Sequence, residues 1–253
     1  LTPLPETGGW YDDTDPDTVV SCNASENQYY TWVGWEGDLS GETRPQGVTM
    51  NAPKSVTANF VGDPRSVTVT SLYGSPNPPV GTNEYHYGDS VTVFVGEIVY
   101  GPPGTRYLCT GWSGGTGNIP ATGTATSYTF TITLNCEITW LWQVQYRLIV
   151  FVSPAGSGTV TPATGWYNAA AVLSCNATAS EGYTWAGWSG NLSGTERPKN
   201  LTMNGPKTIT GNFTPNSYSV TVTSPRGEPK PSGTTTSPGG SSVTVSCGQN
   251  PYP

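Results

Sequence analysis

The sequence has few charged residues, a single histidine and no long apolar run, and each shortage excludes a class of protein. Only 11% of the 253 residues are charged, and 10 basic against 17 acidic side chains leave a formal net charge of −7. This acidic balance argues against nucleic acid as a partner. The longest apolar run, Leu148–Val152, is far shorter than the ~20 residues that cross a bilayer, so we expect no membrane insertion. No leader segment is apparent, and we expect a mature chain or a fragment of one.

Motifs of the common catalytic and cofactor sites are also missing. The one histidine, His86, lies in a polar, tyrosine-rich stretch, and there is no nucleophile elbow, HExxH, P-loop or GxGxxG motif. No CxxC pair is present to hold zinc. We therefore expect a protein that is not an enzyme, with no catalytic residues and no cofactor.

The most informative feature is a fifteen-residue segment that occurs twice. Thr31–Pro45 reads TWVGWEGDLSGETRP and Thr184–Pro198 reads TWAGWSGNLSGTERP, which places the copies 184 − 31 = 153 residues apart. A weaker third copy, CTGWSGGTG, begins at Cys109. Repetition at a fixed period indicates a tandem array of modules.

Two spacings define the array. Trp35, Trp112 and Trp188 lie in equivalent Gly-Trp motifs, 77 and 76 residues apart, whereas the closer similarity recurs at 153. We therefore predict an A-B-A-B alternation with four modules: module one (1–62, type A), module two (63–145, type B), module three (146–216, type A) and module four (217–253, a partial type B).

Module three supplies the template for the fold. Short β-branched and aromatic segments alternate with Gly and Pro turns, which is typical of antiparallel strands. The predicted strands are Arg147–Ser153, Thr159–Asn168, Ala171–Ala177, Tyr183–Trp188 and Thr208–Phe213. We predict an all-β fold, a tandem array of small antiparallel modules. Modules one and four are both incomplete against this template.

The segments of module three, taken in order, resemble a known family. VSPAGSGTVTP (152–162), AVLSCNATASEGYTWAGWSG (171–190) and LTMNGPKTITGNF (201–213) are similar to the divergent InlB B-repeat family. The resemblance covers module three and module one from Val19 to Phe60, whereas module two departs from it. It implies a β-grasp-like fold, against a sandwich-like alternative, and a non-catalytic role on bacterial surface proteins. It implies no ligand or active site at any position.

The tryptophans have two interpretations. Five of them recur at the repeated motif, which favours packing in the core of each module over a sugar-binding platform. These five are Trp32, Trp35, Trp112, Trp185 and Trp188. Trp10 and Trp166, each followed by a tyrosine, are the candidates for stacking against glycans.

The five cysteines divide into two sets. Cys22, Cys175 and Cys247 occupy the same strand position, where module two has Val95, and this exchange indicates a small buried apolar side chain. Cys109 and Cys136 occur only in module two, and we predict a disulfide between them, as suits an extracellular chain. The pairing of the other three stays open.

Two further sets of residues are weaker candidates. The acidic run Asp12, Asp13, Asp15 and Asp17 could surround Ca²⁺, although Pro16 interrupts it and a solvated loop is the alternative. Five asparagines stand in glycosylation sequons: Asn23, Asn176, Asn191, Asn200 and Asn212.

These observations predict a structural repeat protein of an extracellular filament or cell-surface stalk. Short linkers, Gly62–Pro64 and Thr214–Asn216, would hold neighbouring modules in a restricted arrangement. Copies would join head to tail, with the C-terminal strands of one copy completing module one of the next; truncation of a longer array or packing within the chain would explain the same incomplete modules. The alternatives are an adhesin that binds surface glycans through Trp and Tyr, and a passive spacer in a larger cell-wall protein.

Overall fold

The structure, a computed structural model, describes residues 18–248, and these residues form strands and turns without any helix. The predicted all-β class with several small sheets is confirmed. Within the same residues nothing forms a helix of the length and apolar character required to cross a membrane.

The chain is divided into two compact units. The first comprises Leu1–Ile98 and Cys109–Trp142, and the second comprises Val99–Leu108 and Gln143–Pro253. The short segment Val99–Leu108, which the repeat period assigns to module two, therefore belongs to the second unit.

The described residues contain 22 strands. In chain order they are β1 (Val19–Cys22), β2 (Tyr30–Gly37), β3 (Gln46–Thr49), β4 (Val56–Gly62), β5 (Pro64–Thr70), β6 (Gly81–His86), β7 (Ser90–Phe94), β8 (Ile98–Tyr100), β9 (Thr105–Ser113), β10 (Thr122–Gly123), β11 (Ser127–Thr131), β12 (Cys136–Ser153), β13 (Gly158–Thr161), β14 (Gly165–Asn168), β15 (Val172–Ala179), β16 (Tyr183–Gly190), β17 (Lys199–Thr202), β18 (Lys207–Pro215), β19 (Ser217–Val222), β20 (Glu228–Lys230), β21 (Gly233–Pro238) and β22 (Ser246–Gly248).

Most strand pairs in the first unit are antiparallel. In module one, β1 pairs with β3 and β2 with β4; in module two, β5 pairs with β6 and β7 with β11. One pair is parallel: the start of β12 lies beside β5, from Cys136 opposite Val67 to Thr139 opposite Thr70.

The second unit repeats this arrangement. β15 lies between β13 and β17, β16 pairs with β18, and β14 pairs with β12, all antiparallel. The end of β12 lies parallel to β18, from Leu148 opposite Lys207 to Ser153 opposite Asn212. The turn pattern of the sequence predicts antiparallel neighbours only, so these parallel pairs are a difference from expectation. Parallel neighbours need a long crossover connection, and the dozens of residues between β5 and β12, and between β12 and β18, provide it.

Three apolar cores form where alternate strand residues point inward. The core of module one contains Cys22, Trp35 and Val48, and that of module two is larger and runs from Val67 to Trp140. The core of module three extends from Leu148 to Phe213. Residues 217–248 of module four contribute no side chain to these cores.

Candidate functional site

The repeated tryptophan motif is built around a β-bulge. Trp35 follows Trp32 by three positions, and in a regular strand the two side chains would point to opposite faces. The pairing of β2 with β4 shifts register between Trp32 and Gly34, and β16 shifts in the same way between Trp185 and Gly187. The bulge lets both indoles of each module pack together edge to face, with ring centroids 5.0 Å apart in module one and 4.8 Å apart in module three.

The indole nitrogens of the motif hold the glycine-rich loop that follows it. Trp35 Nε1 donates to Thr43 O at 2.9 Å, and Trp188 Nε1 donates to Glu196 O at the same distance. In module two, Trp112 Nε1 donates to Pro120 O at 2.9 Å. Trp35, Trp112 and Trp188 are each at most 7% exposed, whereas Trp32 and Trp185 are half-buried. These five side chains serve packing and loop attachment.

The arginine near the end of each repeated segment recurs because it makes the same contacts in both modules. Sequence spacing alone does not reveal these contacts. The Arg44 guanidinium lies 5.2 Å from the Trp32 ring centroid and donates to Ala24 O at 3.1 Å. Arg197 repeats both contacts, 5.5 Å from the Trp185 centroid and 2.7 Å from Ala177 O. Each arginine therefore covers the outer indole and anchors it to a neighbouring segment.

The structure contradicts the disulfide predicted between Cys109 and Cys136. Both are free thiols in the core of module two, and Cys22, Cys175 and Cys247 are free as well. Cys109 Sγ donates to Gly111 O at 3.7 Å, whereas Cys136 Sγ lies 3.3 Å from Leu134 O. Burial raises the pKa of both thiols. The spacing of two cysteines in the sequence does not show where their side chains point, and here each one fills the core as a small apolar group.

The proposed calcium ligands Asp12, Asp13, Asp15 and Asp17 lie outside the described residues, as does Trp10. Among residues 18–248, no group of three or more His, Cys, Asp or Glu side chains is arranged to hold a metal ion.

The sequon asparagines differ in how accessible their side chains are. Asn23, Asn176, Asn191 and Asn200 are exposed, whereas Asn212 is half-buried. The Asn212 amide nitrogen, to which a glycan would attach, donates to Gly187 O and Ser189 Oγ, both at 3.0 Å. A glycan on Asn212 would have to break these bonds.

A single residue joins module one to module two, and it is held by three hydrogen bonds. Asp63 separates β4 from β5. Its N–H donates to Tyr29 O at 2.9 Å, its side chain accepts from Thr31 Oγ1 at 3.2 Å, and its carbonyl accepts from Tyr87 N at 2.8 Å.

The same three bonds recur where module three meets module four. Asn216 separates β18 from β19; its N–H donates to Gly182 O at 2.8 Å, its Oδ1 accepts from Thr184 Oγ1 at 2.6 Å and its carbonyl accepts from Gly239 N at 2.6 Å. We call these two places the A–B junctions. Their recurrence shows that this connection is part of the repeat.

The outer edge of β4 is the main difference between the two type A modules. β18 pairs with β16 on one side and with β12 on the other, whereas β4 pairs only with β2 among the described residues. Ile209 on β18 is fully buried, and its counterpart in module one, Val56, is only half-buried. Likewise, Phe213 on β18 is buried, whereas its counterpart Phe60 on β4 is half-buried.

A cationic and aromatic cluster surrounds Trp166 in the second unit. The guanidinium carbons of Arg106 and Arg147 lie 4.7 Å and 5.9 Å from the ring centroid of Trp166, and the Tyr100 ring centroid lies at 6.2 Å. We call these four residues the Arg–Trp cluster. Trp166 is half-buried, and Tyr100 is 69% exposed. Of these four residues the sequence singled out only Trp166, because Tyr100 and Arg106 come from a distant segment.

The family model of the divergent InlB B-repeat domain matches residues 6–64 and 148–217. The two segments contain 59 and 70 residues, together 129 of 253, or about half of the chain. The chain belongs to this family. The resemblance predicted from the sequence is confirmed. Searches of curated proteins and of solved structures found no match.

The two matched segments of this divergent InlB B-repeat protein correspond to modules one and three, and they contain both copies of the tryptophan motif. Residues 65–147 between them lie outside the match. The family is typical of bacterial surface and extracellular proteins, and the match suggests a bacterial surface repeat module.

Proposed function

We propose that this chain is a structural, non-catalytic part of an extracellular stalk or filament, whose copies join head to tail by strand addition. The observation that carries the proposal is the edge of β4 that pairs with no strand within residues 18–248; we call it the open edge. Module three shows what such an edge accepts, because there the equivalent strand is paired on both sides.

The A–B junctions support the stalk. A one-residue linker with both its backbone groups and its side chain hydrogen-bonded has little freedom to rotate. At the first junction Tyr29 adopts a left-handed conformation, with φ of 72°, which costs about 1–2 kcal/mol for a residue other than glycine. Its ring stacks on Tyr87 at 4.7 Å, and the Arg65 guanidinium lies 5.6 Å from it. Gly182 takes the equivalent conformation in the second copy, with φ of 81°.

The stalk is tested by loosening these linkers. Insertion of Gly-Gly after Asp63 and after Asn216 separates the groups that bond across each junction. We expect small-angle X-ray scattering of the full chain to show a broader distribution of interatomic distances than for the natural protein. The matched control inserts Gly-Gly in the exposed turn after Asn204, within module three. An unchanged distribution after the junction insertions would contradict a held connection.

The open edge of β4 supports assembly between copies. In module three, the strand that covers the edge places Leu148, fully buried, into the core, with Val150 and Val152 half-buried beside it. An unpaired strand edge is a template for addition of another strand.

The proposed donor is β19 of a second copy. Tyr218 and Val220 on this strand are 57% and 39% exposed. With Val222 they place an apolar side chain at every second residue, which is the pattern that Leu148, Val150 and Val152 show on β12. The equivalent strand of module two, β5, is covered by the start of β12, and Val67, the counterpart of Val220, is fully buried there. β19 pairs only with β21 among the described residues and so has a free edge to offer.

The assembly is tested by occupying the acceptor edge. A second copy of residues 146–153 placed ahead of Leu1 would supply a strand for this edge within the same chain. We expect the natural chain to form end-to-end oligomers in light scattering and electron microscopy, and the self-complemented chain to remain monomeric. The control carries the same added segment with its copies of Leu148 and Val150 replaced by aspartate, and it should still assemble.

The donor is tested separately by Val220→Asp, which should abolish the oligomers. Ser219→Asp adds the same charge one residue away, where the side chain points to the other face of β19, and should leave them intact. A natural chain that stays monomeric at every concentration would contradict strand addition and favour the passive spacer.

Binding of glycans is a second proposed role, and one observation favours it. The Arg–Trp cluster combines an exposed aromatic ring with two guanidinium groups, and no carboxylate in residues 18–248 pairs with them. Binding of any oligosaccharide to the natural chain, measured by a glycan array, tests this role.

A further inference from the structure

We propose that the Arg–Trp cluster binds a carboxylated sugar, a uronic or sialic acid, with its carboxylate on the two arginines and its ring against Tyr100. This inference rests on the second proposed role, glycan binding, and names the class of sugar. It concerns a surface of the second unit that strand addition does not involve.

The backbone brings the two arginines to the same indole. Arg147 on β12 lies opposite Trp166 on β14 in the antiparallel register. The turn before β9 lies beside this pair, since Arg147 N donates to Gly104 O at 2.8 Å, and it delivers Arg106 to the ring. The cluster is therefore assembled from three chain segments.

The two positive charges have no counterion in the described structure. The four contacts between basic and acidic side chains among residues 18–248 use other basic residues: Arg44, Lys54, His86 and Lys199. The guanidinium groups of Arg106 and Arg147 both lie within 6 Å of one ring centroid, so the two positive charges repel each other. In a protein of net charge −7, this local excess of positive charge is best relieved by an anion.

Arg106 is held with its outer nitrogens free. Its Nε donates to Gln145 Oε1 at 2.8 Å, and Gln145, only 9% exposed, donates in turn to Asn168 Oδ1 at 2.9 Å. The terminal nitrogens of Arg106 and the whole guanidinium of Arg147 have no acceptor within residues 18–248. A guanidinium fixed through Nε presents two parallel N–H groups, which is the geometry that a carboxylate accepts.

The other arginines that lie over tryptophans differ in this respect. Arg44 and Arg197 each donate to a backbone carbonyl, of Ala24 and Ala177 respectively, and so complete the fold of a type A module. Arg147 makes no such bond through its side chain. Its charge is therefore available to a ligand.

The exposed ring selects a sugar over a small anion. Aromatic faces pack against the C–H face of a pyranose, and Tyr100 offers 69% of its surface. The Trp166 ring already has the Arg106 guanidinium beside it, so Tyr100 is the better stacking surface. A carboxylated pyranose uses both features, whereas phosphate would use only the arginines.

The test is a titration of the full chain with sugar probes at low salt, in which calorimetry or NMR measures the binding. The probes are 3′-sialyllactose, a glucuronic acid oligosaccharide, and lactose as the neutral match of the first. We expect one of the acidic probes to bind and lactose to bind at least tenfold more weakly, since lactose has no carboxylate to accept charge-assisted hydrogen bonds from the arginines. Arg147→Gln and Tyr100→Ala should each weaken binding at least tenfold. Arg226→Gln removes an equal charge from an exposed site of the same unit and should leave binding unchanged.

The outcomes separate the two ideas. Equal binding of lactose and sialyllactose would overturn the carboxylate assignment and keep glycan binding. Absence of binding to all three probes, together with a blank glycan array, would overturn both. Binding that survives Arg147→Gln, or a short single-stranded oligonucleotide that binds more tightly than the acidic sugars, would also overturn the assignment.

Discussion

The two type A modules allow one substitution to be made twice, in a covered and in an open environment. Met203 is fully buried in module three, whereas Met50, at the same position of module one, is half-buried. Replacing a fully buried methionine with alanine costs about 2–5 kcal/mol, because transfer free energy is lost and a cavity remains. Met50→Ala removes a side chain that is already partly solvated, and we expect a cost of about half as much.

The buried cysteines allow each module to be followed separately. Cys175 lies in the core of module three and Cys22 in that of module one, so pulsed thiol alkylation across a urea series reports the unfolding of each module. For m-values of about 1–1.5 kcal/mol/M, a loss of 3 kcal/mol lowers the labelling midpoint by about 2–3 M. Met203→Ala should lower the labelling midpoint of Cys175 by this amount. Met50→Ala should lower the labelling midpoint of Cys22 by about half of that amount. Equal shifts would refute the argument that no strand within residues 18–248 covers the second edge of β4.

Three further predictions concern a glycine at a strand end and the thiols. Gly190→Ala should destabilise module three by about 1–3 kcal/mol, because φ at this position is 89° and an added Cβ would collide with Thr208 O; Gly205→Ala, in an open turn, is the control, and thermal unfolding measures both. In the native chain, iodoacetamide should label the exposed Cys247 well before Cys175, since burial raises the pKa of the Cys175 thiol and leaves less thiolate at pH 8. Intact mass after alkylation without reductant should show five free thiols, and a missing pair would contradict the structure.

The sequence repeat predicted the all-β class and the position of the tryptophan motif because both depend on local pattern. Strands of alternating residues and the recurrence of Trp35 and Trp188 can be read from spacing alone. The bulge that brings Trp32 beside Trp35 could have been inferred, since two tryptophans three residues apart share a face only if the strand is irregular.

Contacts between distant segments cannot be predicted from the spacing of residues in the sequence. β12 serves module two with its first residues and module three with its last, so no turn signal marks the predicted boundary at 145/146. Arg106 reaches Trp166 from 60 residues away in the sequence. The disulfide failed for the same reason, because the directions of Cys109 and Cys136 depend on strand pairing and not on their separation.

Hydrogen exchange at β4 tests the central claim, that the edge of β4 left unpaired among residues 18–248 is completed by a strand of another copy. In the natural chain at low concentration, the backbone N–H groups of Val56–Gly62 should exchange faster than those of residues 207–214 on β18. With the copy of residues 146–153 placed ahead of Leu1, protection of Val56–Gly62 should rise to the level of β18. Protection that is already equal in the natural chain, or that stays unchanged when the strand is added, would contradict the account.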